Sequence, residues 1–287
     1  MTNEAVSKVV LITGCSSGIG AATAIRLATA GWTVYATARR VESIAALAEA
    51  GCRTMALDVT DDASMQHAVA TIEAEHGAVG VLINNAGYSE SGSVEELSSE
   101  RLRRQFETNV FGVHRLIQLV LPGMRRQGWG KIVNLSSMGG RLTFPGGGAY
   151  HASKYAFEAL SDALRFEVKG FGIDVVLIEP GLIRTGFSQA AVGSMTTALA
   201  KPGPYSAFNE AVARNTKEAY EKGMFSKLGG GPDDVARTIE RAVSARRPKA
   251  RYPVTASARA LLMQRAMMPD WAWDAFLRTQ FPQPGAA

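Results

Sequence analysis

The sequence has 287 residues, 46% hydrophobic and 20% charged, with a formal net charge of +5. That length suits one large α/β domain or two small ones, and the composition is ordinary for a soluble globular chain. Two cysteines, Cys15 and Cys52, exclude a disulfide framework and a four-cysteine zinc site and fit a reducing, cytoplasmic location.

The opening MTNEAVSKVVLITG lacks a signal-peptide pattern. No run of about 18 apolar residues occurs, so no transmembrane span is expected. Up to Pro180, short β-branched runs alternate with longer helical patterns. Lys8–Thr13 predicts the first strand, and Ile19–Ala30 the first helix. Strands follow at Thr33–Thr37 and Thr54–Leu57, then a helix at Ala63–Glu75 and a strand at Val79–Asn84. One long helix is predicted over Glu100–Arg126, a strand over Lys131–Leu135, a helix over Tyr150–Lys169 and a strand over Asp174–Ile178. The strands are nearly continuously apolar, as strands covered on both faces are. The alternation predicts an α/β fold of Rossmann type, a doubly wound parallel sheet with helices on both faces.

After Pro180 the rhythm changes. Gly181–Leu228 reads as loops and short helices, and Pro232-Asp233-Asp234 opens another helix. Tyr252–Thr255 adds a final strand, about the seventh, and the apolar tail Ala258–Phe281 predicts helix packed on the sheet or on a partner. The basic stretch RAVSARRPKAR, Arg241–Arg251, has no interleaved aromatics or binding motif. It is expected to be a solvated helix end, and no nucleic acid is expected as a partner.

Strand one runs into TGCSSGIG, Thr13–Gly20, and then a helix. Gly14, Gly18 and Gly20 allow a tight turn and a close backbone approach, and the helix start offers free N–H groups to a pyrophosphate. Cys15 within the loop reads as a small filler. Further on, AYHASKYAF places Tyr150 and Lys154 four residues apart on one helix face. A free phenol titrates near 10, too high for ready proton exchange near neutrality, and a neighbouring ammonium favours its phenolate form.

The motifs TGCSSGIG (13–20), NNAG (84–87), Ser137 in NLSSMGG, YHASK (150–154) and PGLIRT (180–185) occur in that order. Over about Val6–Phe187 the chain resembles the short-chain dehydrogenases/reductases, and within them the 17β-hydroxysteroid and retinol dehydrogenase branch. The resemblance implies that Tyr150 is the general acid/base, Lys154 its activator, Ser137 the partner of the substrate oxygen and Asn109 a support of the proton relay. It further implies cofactor contacts from Ser16, Ser17, Ile19, Asp58, Val59, Asn85, Ala86 and Gly87. Tyr150, Lys154, Pro180, Gly181, Ile183 and Thr185 complete that expectation.

Where NAD-specific relatives carry an acid after strand two, this chain has Ala38 followed by Arg39, so NADP(H) is preferred and NAD(H) remains possible. The implied reaction interconverts a lipophilic alcohol with a ketone or aldehyde. Alternatives are a silent dinucleotide-binding regulator and an epimerase or dehydratase on the same scaffold. Substrate contacts are expected from Ser137, Met138, Leu142, Tyr150 and Phe187. The four scattered histidines suggest no metal site. The family usually forms a homodimer or homotetramer through the Glu100–Arg126 and Tyr150–Lys169 helices. A single domain is expected, with a core over 6–185, a substrate lid over 186–231 that is mobile at Gly186–Tyr205, and C-terminal helices over 232–287.

Overall fold

The computed structural model describes residues 6–200, 202–221 and 227–285. The first five residues, read above for a signal pattern, and residues 201 and 222–226 of the expected lid lie outside the described residues.

Seven parallel strands form one sheet in the order β3-β2-β1-β4-β5-β6-β7. They are β1 (Val10–Ile12), β2 (Val34–Ala38), β3 (Arg53–Ala56), β4 (Val81–Asn84), β5 (Gly130–Leu135), β6 (Ile173–Pro180) and β7 (Arg251–Val254). The first half of the chain runs outward from β1 to β3 and the second outward from β4 to β7. The order therefore reverses between β1 and β4, and such a switch point opens a crevice at the carboxyl ends of the strands.

The helices are α1 (Gly18–Thr29), α2 (Ala46–Glu49), α3 (Asp62–His76), α4 (Ser99–Phe106), α5 (Gly112–Gln127) and α6 (Gly148–Glu167). After β6 come α7 (Phe187–Gly193), α8 (Thr196–Ala200), α9 (Ser206–Glu221), α10 (Pro232–Ser244), α11 (Ala256–Met267) and α12 (Asp270–Arg278). Side-chain alternation along each strand divides the core. Val10 and Ile12 of β1 join Leu27 of α1 and Ile239 of α10 on one face. Leu11 joins Met65, Leu116 and Phe157, from α3, α5 and α6, on the other. Leu82 and Ile83 are fully buried, one on each side, and each such side chain stabilises the fold by roughly 1.5–3 kcal/mol. Among the described residues no helix is long and apolar enough to cross a membrane.

The strand expectations hold within a residue or two at each end, but two other readings need correction. The single helix expected over Glu100–Arg126 is α4 and α5 joined by a π turn at Glu107–Phe111. The segment expected to hold only loops and short helices contains α9, which is 16 residues long. Asp61 caps α3, accepting from the backbone of Ala63 and Ser64.

Candidate active site

A cleft of about 1000 Å³ runs across the carboxyl ends of the strands. At one end lies the β1–α1 turn. Gly14 and Gly18 have φ of +73° and +58°, where a Cβ would be strained. A Cβ on Gly14 would stand 2.8 Å from Ala86 Cα, so the turn and the NNAG segment touch. Ser17 is the extended residue before α1, yet its side chain makes no cap, which leaves the first-turn N–H groups directed at the cleft. Ser16 and Ile19 line the same end. Gly20 does not line the cleft: its missing Cβ admits Gly14 O and Asn85 Nδ2. Cys15 is buried, which pushes its thiol up to about 12, an inert filler.

Thr13 and Asn85 tie this end together. Asn85 and Ala86 donate backbone N–H to Thr13 Oγ1 at 3.1 and 3.0 Å, while Asn85 Nδ2 donates to the carbonyls of Thr13 and Gly14. Arg39 follows β2 directly, is exposed and lines the cleft, and makes no ion pair among the described residues. Asp58 and Val59 line it too, with Asp58 Oδ1 accepting from Thr60 N and Oγ1 at 2.9 and 2.8 Å. Pro180, Gly181, Ile183 and Thr185 line the cleft as well. Thr185 reaches back to the glycine turn, since a Cβ on Gly18 would lie 3.3 Å from its Cγ2. An extended anion with flat rings at each end fits this cradle of uncapped N–H groups, close-approaching glycines and a free guanidinium. The residues present therefore fit a nicotinamide dinucleotide.

Mid-cleft, the structure brings Ser137, Tyr150 and Lys154 to one wall. Ser137 follows β5 and Tyr150 and Lys154 stand on the first turns of α6. Lys154 Nζ donates to Leu135 O at 2.6 Å and lies 5.9 Å from the Tyr150 ring centroid. Burial lowers Lys154 to about 8, opposed by the charge of Glu158. Burial raises the Tyr150 phenol to about 12, opposed by its hydrogen bond with Ser137. Desolvation thus works against the phenolate form that a neighbouring ammonium favours.

Asn109 does not line the cleft. It sits in the π turn, a local irregularity common at functional sites. Its Nδ2 donates to Tyr88 O at 3.0 Å and to Ser153 Oγ at 3.1 Å, and its Oδ1 accepts from Tyr88 N. It thus clamps the residues after NNAG to α6, immediately behind Gly87, whose Cβ would stand 3.1 Å from Asn109 Oδ1.

A family model described as short chain dehydrogenase matches residues 8–195. The chain belongs to the short-chain dehydrogenase family. It is 34% identical over 279 residues to an uncharacterized oxidoreductase, YbbO, of Escherichia coli, covering 97% of each chain. It is likewise 34% identical over 276 residues to human 17-beta-hydroxysteroid dehydrogenase type 1, covering 91% of this chain and 82% of that one. Among solved structures, the closed form of a serine dehydrogenase complexed with NADP+ superposes with a TM-score of 0.73 at 27% identity, covering 86% and 94% of the two chains.

The far side of this short-chain dehydrogenase's cleft differs from the expectation. Met138 and Phe187 line it, with the Phe187 and Tyr150 ring centroids 5.3 Å apart. Leu142 does not; it is fully buried in a small cluster with Leu182, Ala258 and Leu261. The 3-10 turn after Ser137 directs it inward. Of the expected lid, Val192, Met195, Leu199, Tyr205 and Phe208 are also absent from the lining. Instead α9 contributes Val212, Thr216 and Ala219, and the chain end contributes Leu261, Phe276 and Phe281.

The sequence reading missed these residues, although Val212, Thr216 and Ala219 recur at helical spacing. It also missed His151. That ring is buried between Gly139 O, 2.9 Å from Nδ1, and Phe144 N, which donates to Nε2 at 3.3 Å.

Proposed function

We propose that this oxidoreductase uses NADP(H), with NAD(H) as a secondary cofactor, to interconvert a lipophilic alcohol and its ketone or aldehyde. The observation that carries the reading is the meeting of Tyr150, Ser137 and Lys154 mid-cleft, between the pyrophosphate cradle and an apolar wall. When bound, the dinucleotide supplies two-electron hydride chemistry at its nicotinamide. Gly14, Ser16, Ser17, Gly18 and Ile19 would hold its phosphates, and Arg39 a 2′-phosphate. Asp58, Val59, Asn85, Ala86 and Gly87 would flank the adenosine, and Pro180, Gly181, Ile183 and Thr185 the nicotinamide. Gly20 acts by letting the turn close, not by contact.

Tyr150 is the general acid in reduction and the general base in oxidation. Burial works against the phenolate, and the Ser137 hydrogen bond and the Lys154 cation beside the ring act in its favour as the proton passes to the carbonyl oxygen. Ser137 Oγ hydrogen-bonds the same oxygen and steadies its developing charge. Lys154 keeps a cation beside the phenol and reaches the nicotinamide ribose. Asn109 positions the NNAG end and α6 relative to each other, which is its part in the relay.

The apolar lining of Met138, Phe187, Val212, Leu261, Phe276 and Phe281 favours a lipophilic substrate. The likeness to a hydroxysteroid dehydrogenase supports the same substrate class. Residues 186–231 act as a lid on a single 1–287 domain. The exposed Phe111, Tyr155 and Phe166, on and beside the helices named above, supply an apolar face for a homodimer or homotetramer. A cytoplasmic location fits the two free cysteines. The deciding experiment follows nicotinamide absorbance over a panel of lipophilic alcohols and ketones with NADPH and NADH. Turnover of a lipophilic ketone with NADPH is the expected result; no turnover across the panel, despite tight NADPH binding, would favour a silent dinucleotide-binding protein.

A further inference from the structure

Arg251, in the stretch whose basicity suggested a solvated surface, is turned inward. From β7 its guanidinium donates to Glu158 Oε2 through Nε at 3.1 Å and NH2 at 3.0 Å. It also donates to Asp162 Oδ2 at 2.6 Å and lies 3.2 Å from Glu179 Oε1. Arg141, beyond the Ser137 turn, approaches Glu179 Oε1 at 3.5 Å. Glu158 and Glu179 are 5% and 0% exposed, so these carboxylates are deeply desolvated and costly to hold without a purpose or full pairing. Pairing is incomplete. Arg251 is shared among three acids, and Glu158 Oε1 is buried without a hydrogen-bond partner among the described residues.

Glu158 stands one turn beyond Lys154 on α6, so the two share a helix face. Both pack around Gly140, where a Cβ would lie 2.9 Å from Glu158 Cγ and 3.2 Å from Lys154 O. The hydrogen bond Lys154 Nζ makes is to the neutral Leu135 carbonyl, which does not balance a buried positive charge.

We propose that Glu158, anchored by Arg251, is a positioning residue whose negative charge keeps the buried Lys154 in its ammonium form. This rests on the reading of Lys154 as the cation that serves the phenol and the ribose. Burial draws Lys154 down to about 8, and Glu158 is the group that works against that shift. The other groups around the pair are Tyr150, Asp162 and Lys154's neighbour Asn109 from behind Gly87, with Glu179 on β6, Arg251 on β7 and Arg141 on the Ser137 turn. Among these acids Glu158 is the nearest to Lys154 along α6, one turn away, and its Oε1 accepts no hydrogen bond among the described residues, whereas Glu179, whose oxygens also lack hydrogen bonds there, stands on β6. Gly140 makes the arrangement possible, because any side chain there would separate Ser136, Glu158 and the Lys154 turn.

The test is an NMR titration of side-chain-labelled lysine in the full chain without cofactor, with the Lys154 signal assigned by its loss in Lys154→Arg. The wild-type midpoint is expected near 8. Glu158→Gln, which keeps the shape and removes the charge, should lower it by about one unit, a tenfold loss of ammonium above the midpoint. Glu158→Asp should restore most of the shift, and Asp162→Asn, which loosens Arg251 without touching the charge beside Lys154, should leave the midpoint in place.

Should Glu158→Gln fold poorly, the double variant Glu158→Met with Arg251→Met removes acid and partner together, a change that buried pairs often tolerate. A midpoint that stays within about 0.2 units in both charge-free variants overturns the proposal. NADPH affinity, read by fluorescence at pH 6 and pH 8, separates the two readings. A lowered midpoint with affinity lost only at pH 8 supports both; a lowered midpoint with unchanged affinity supports Glu158's part and removes Lys154 from the ribose.

Discussion

Lys154 donates to the carbonyl of Leu135 at 2.6 Å, which fixes the catalytic helix to the end of the strand that carries Ser137. The bond sets the distance between the proton-handling helix and the residue that meets the substrate oxygen. A shift of either element would disturb both at once. Replacing Lys154 by Met should therefore impair turnover and NADPH affinity together.

Tyr150→Phe should behave differently. It removes the transferable proton and almost no volume from a buried site, so NADPH affinity should stay within a few-fold. Turnover should fall by about 10²–10⁴, the usual contribution of a positioned general acid. Fluorescence titration and steady-state rates measured on one preparation decide it, and a variant that keeps most of its activity would defeat the assignment.

Arg39 is exposed at the end of β2 with no ion pair among the described residues, and Ala38 leaves the acid position of NAD-specific relatives empty. The pair Ala38→Asp and Arg39→Ala should reverse cofactor preference, because an acid accepts from a 2′-hydroxyl and repels a 2′-phosphate. The ratio of kcat/KM for NADPH and NADH should favour NADPH in the wild type and cross unity in the double variant. Equal wild-type efficiency with both cofactors would refute the reading.

His151 gives a stability prediction. Burial lowers its pKa from the ordinary 6.5, with the Gly139 carbonyl acting in the opposite sense. Below pH 6.5 the unfolded chain takes up this proton before the folded chain does. Stability from a neutral, buried His151 is therefore complete above 6.5 and is lost as pH falls through the lowered folded value. Protonation also makes Nε2 a donor facing the donor Phe144 N. His151→Gln should cost about 1–3 kcal/mol at pH 7, the usual effect of an unsatisfied buried bond. The gap from wild type should narrow toward pH 5 in thermal melts; a constant gap would show that His151 does not titrate on unfolding.

Much of this was legible in the sequence because the strands are buried on both faces and carry continuous apolar runs, such as VLI in β1 and VLIN in β4. The glycine turn and the Tyr150–Lys154 spacing were equally readable, being local patterns of three to eight residues. What was hidden depends on long-range placement. Leu142 looks like a pocket residue until the turn after Ser137 buries it, and α9 and the chain end meet the cleft only through tertiary packing. The Tyr150 pKa belongs to the same class, since the burial that dominates it is a property of the assembled site. The basic look of Arg241–Arg251 misled for the same reason at Arg251, whose charge is used against Glu158, Asp162 and Glu179.

The placement of the chain end leads to a prediction about substrate choice. Phe276 and Phe281 line the cleft. Trp273 backs them, 5.2 Å from Phe276 and 5.8 Å from Phe144 between ring centroids. This wall is expected to meet the remote part of a long substrate, leaving the reacting oxygen to Ser137 and Tyr150. Phe276→Ala should then raise KM for a bulky lipophilic ketone by about tenfold, equivalent to roughly 1.4 kcal/mol of uniform binding, with kcat nearly unchanged. A short ketone that does not reach the wall should be unaffected. The nearer Phe187, beside the Tyr150 ring, should instead alter kcat for both when truncated, because it borders the reacting end. Ordering of the lid adds a second measurement: cleavage in the Gly186–Tyr205 region should slow when a turned-over lipophilic ligand joins NADPH. That protection would have to work against contacts already present, since Ser194 Oγ accepts from Ser91 N at 2.9 Å and Arg101 donates to Ser194 O at 2.6 Å. Loss of both substrates alike in Phe276→Ala, or a best substrate that is small and charged, would remove the chain end from substrate selection.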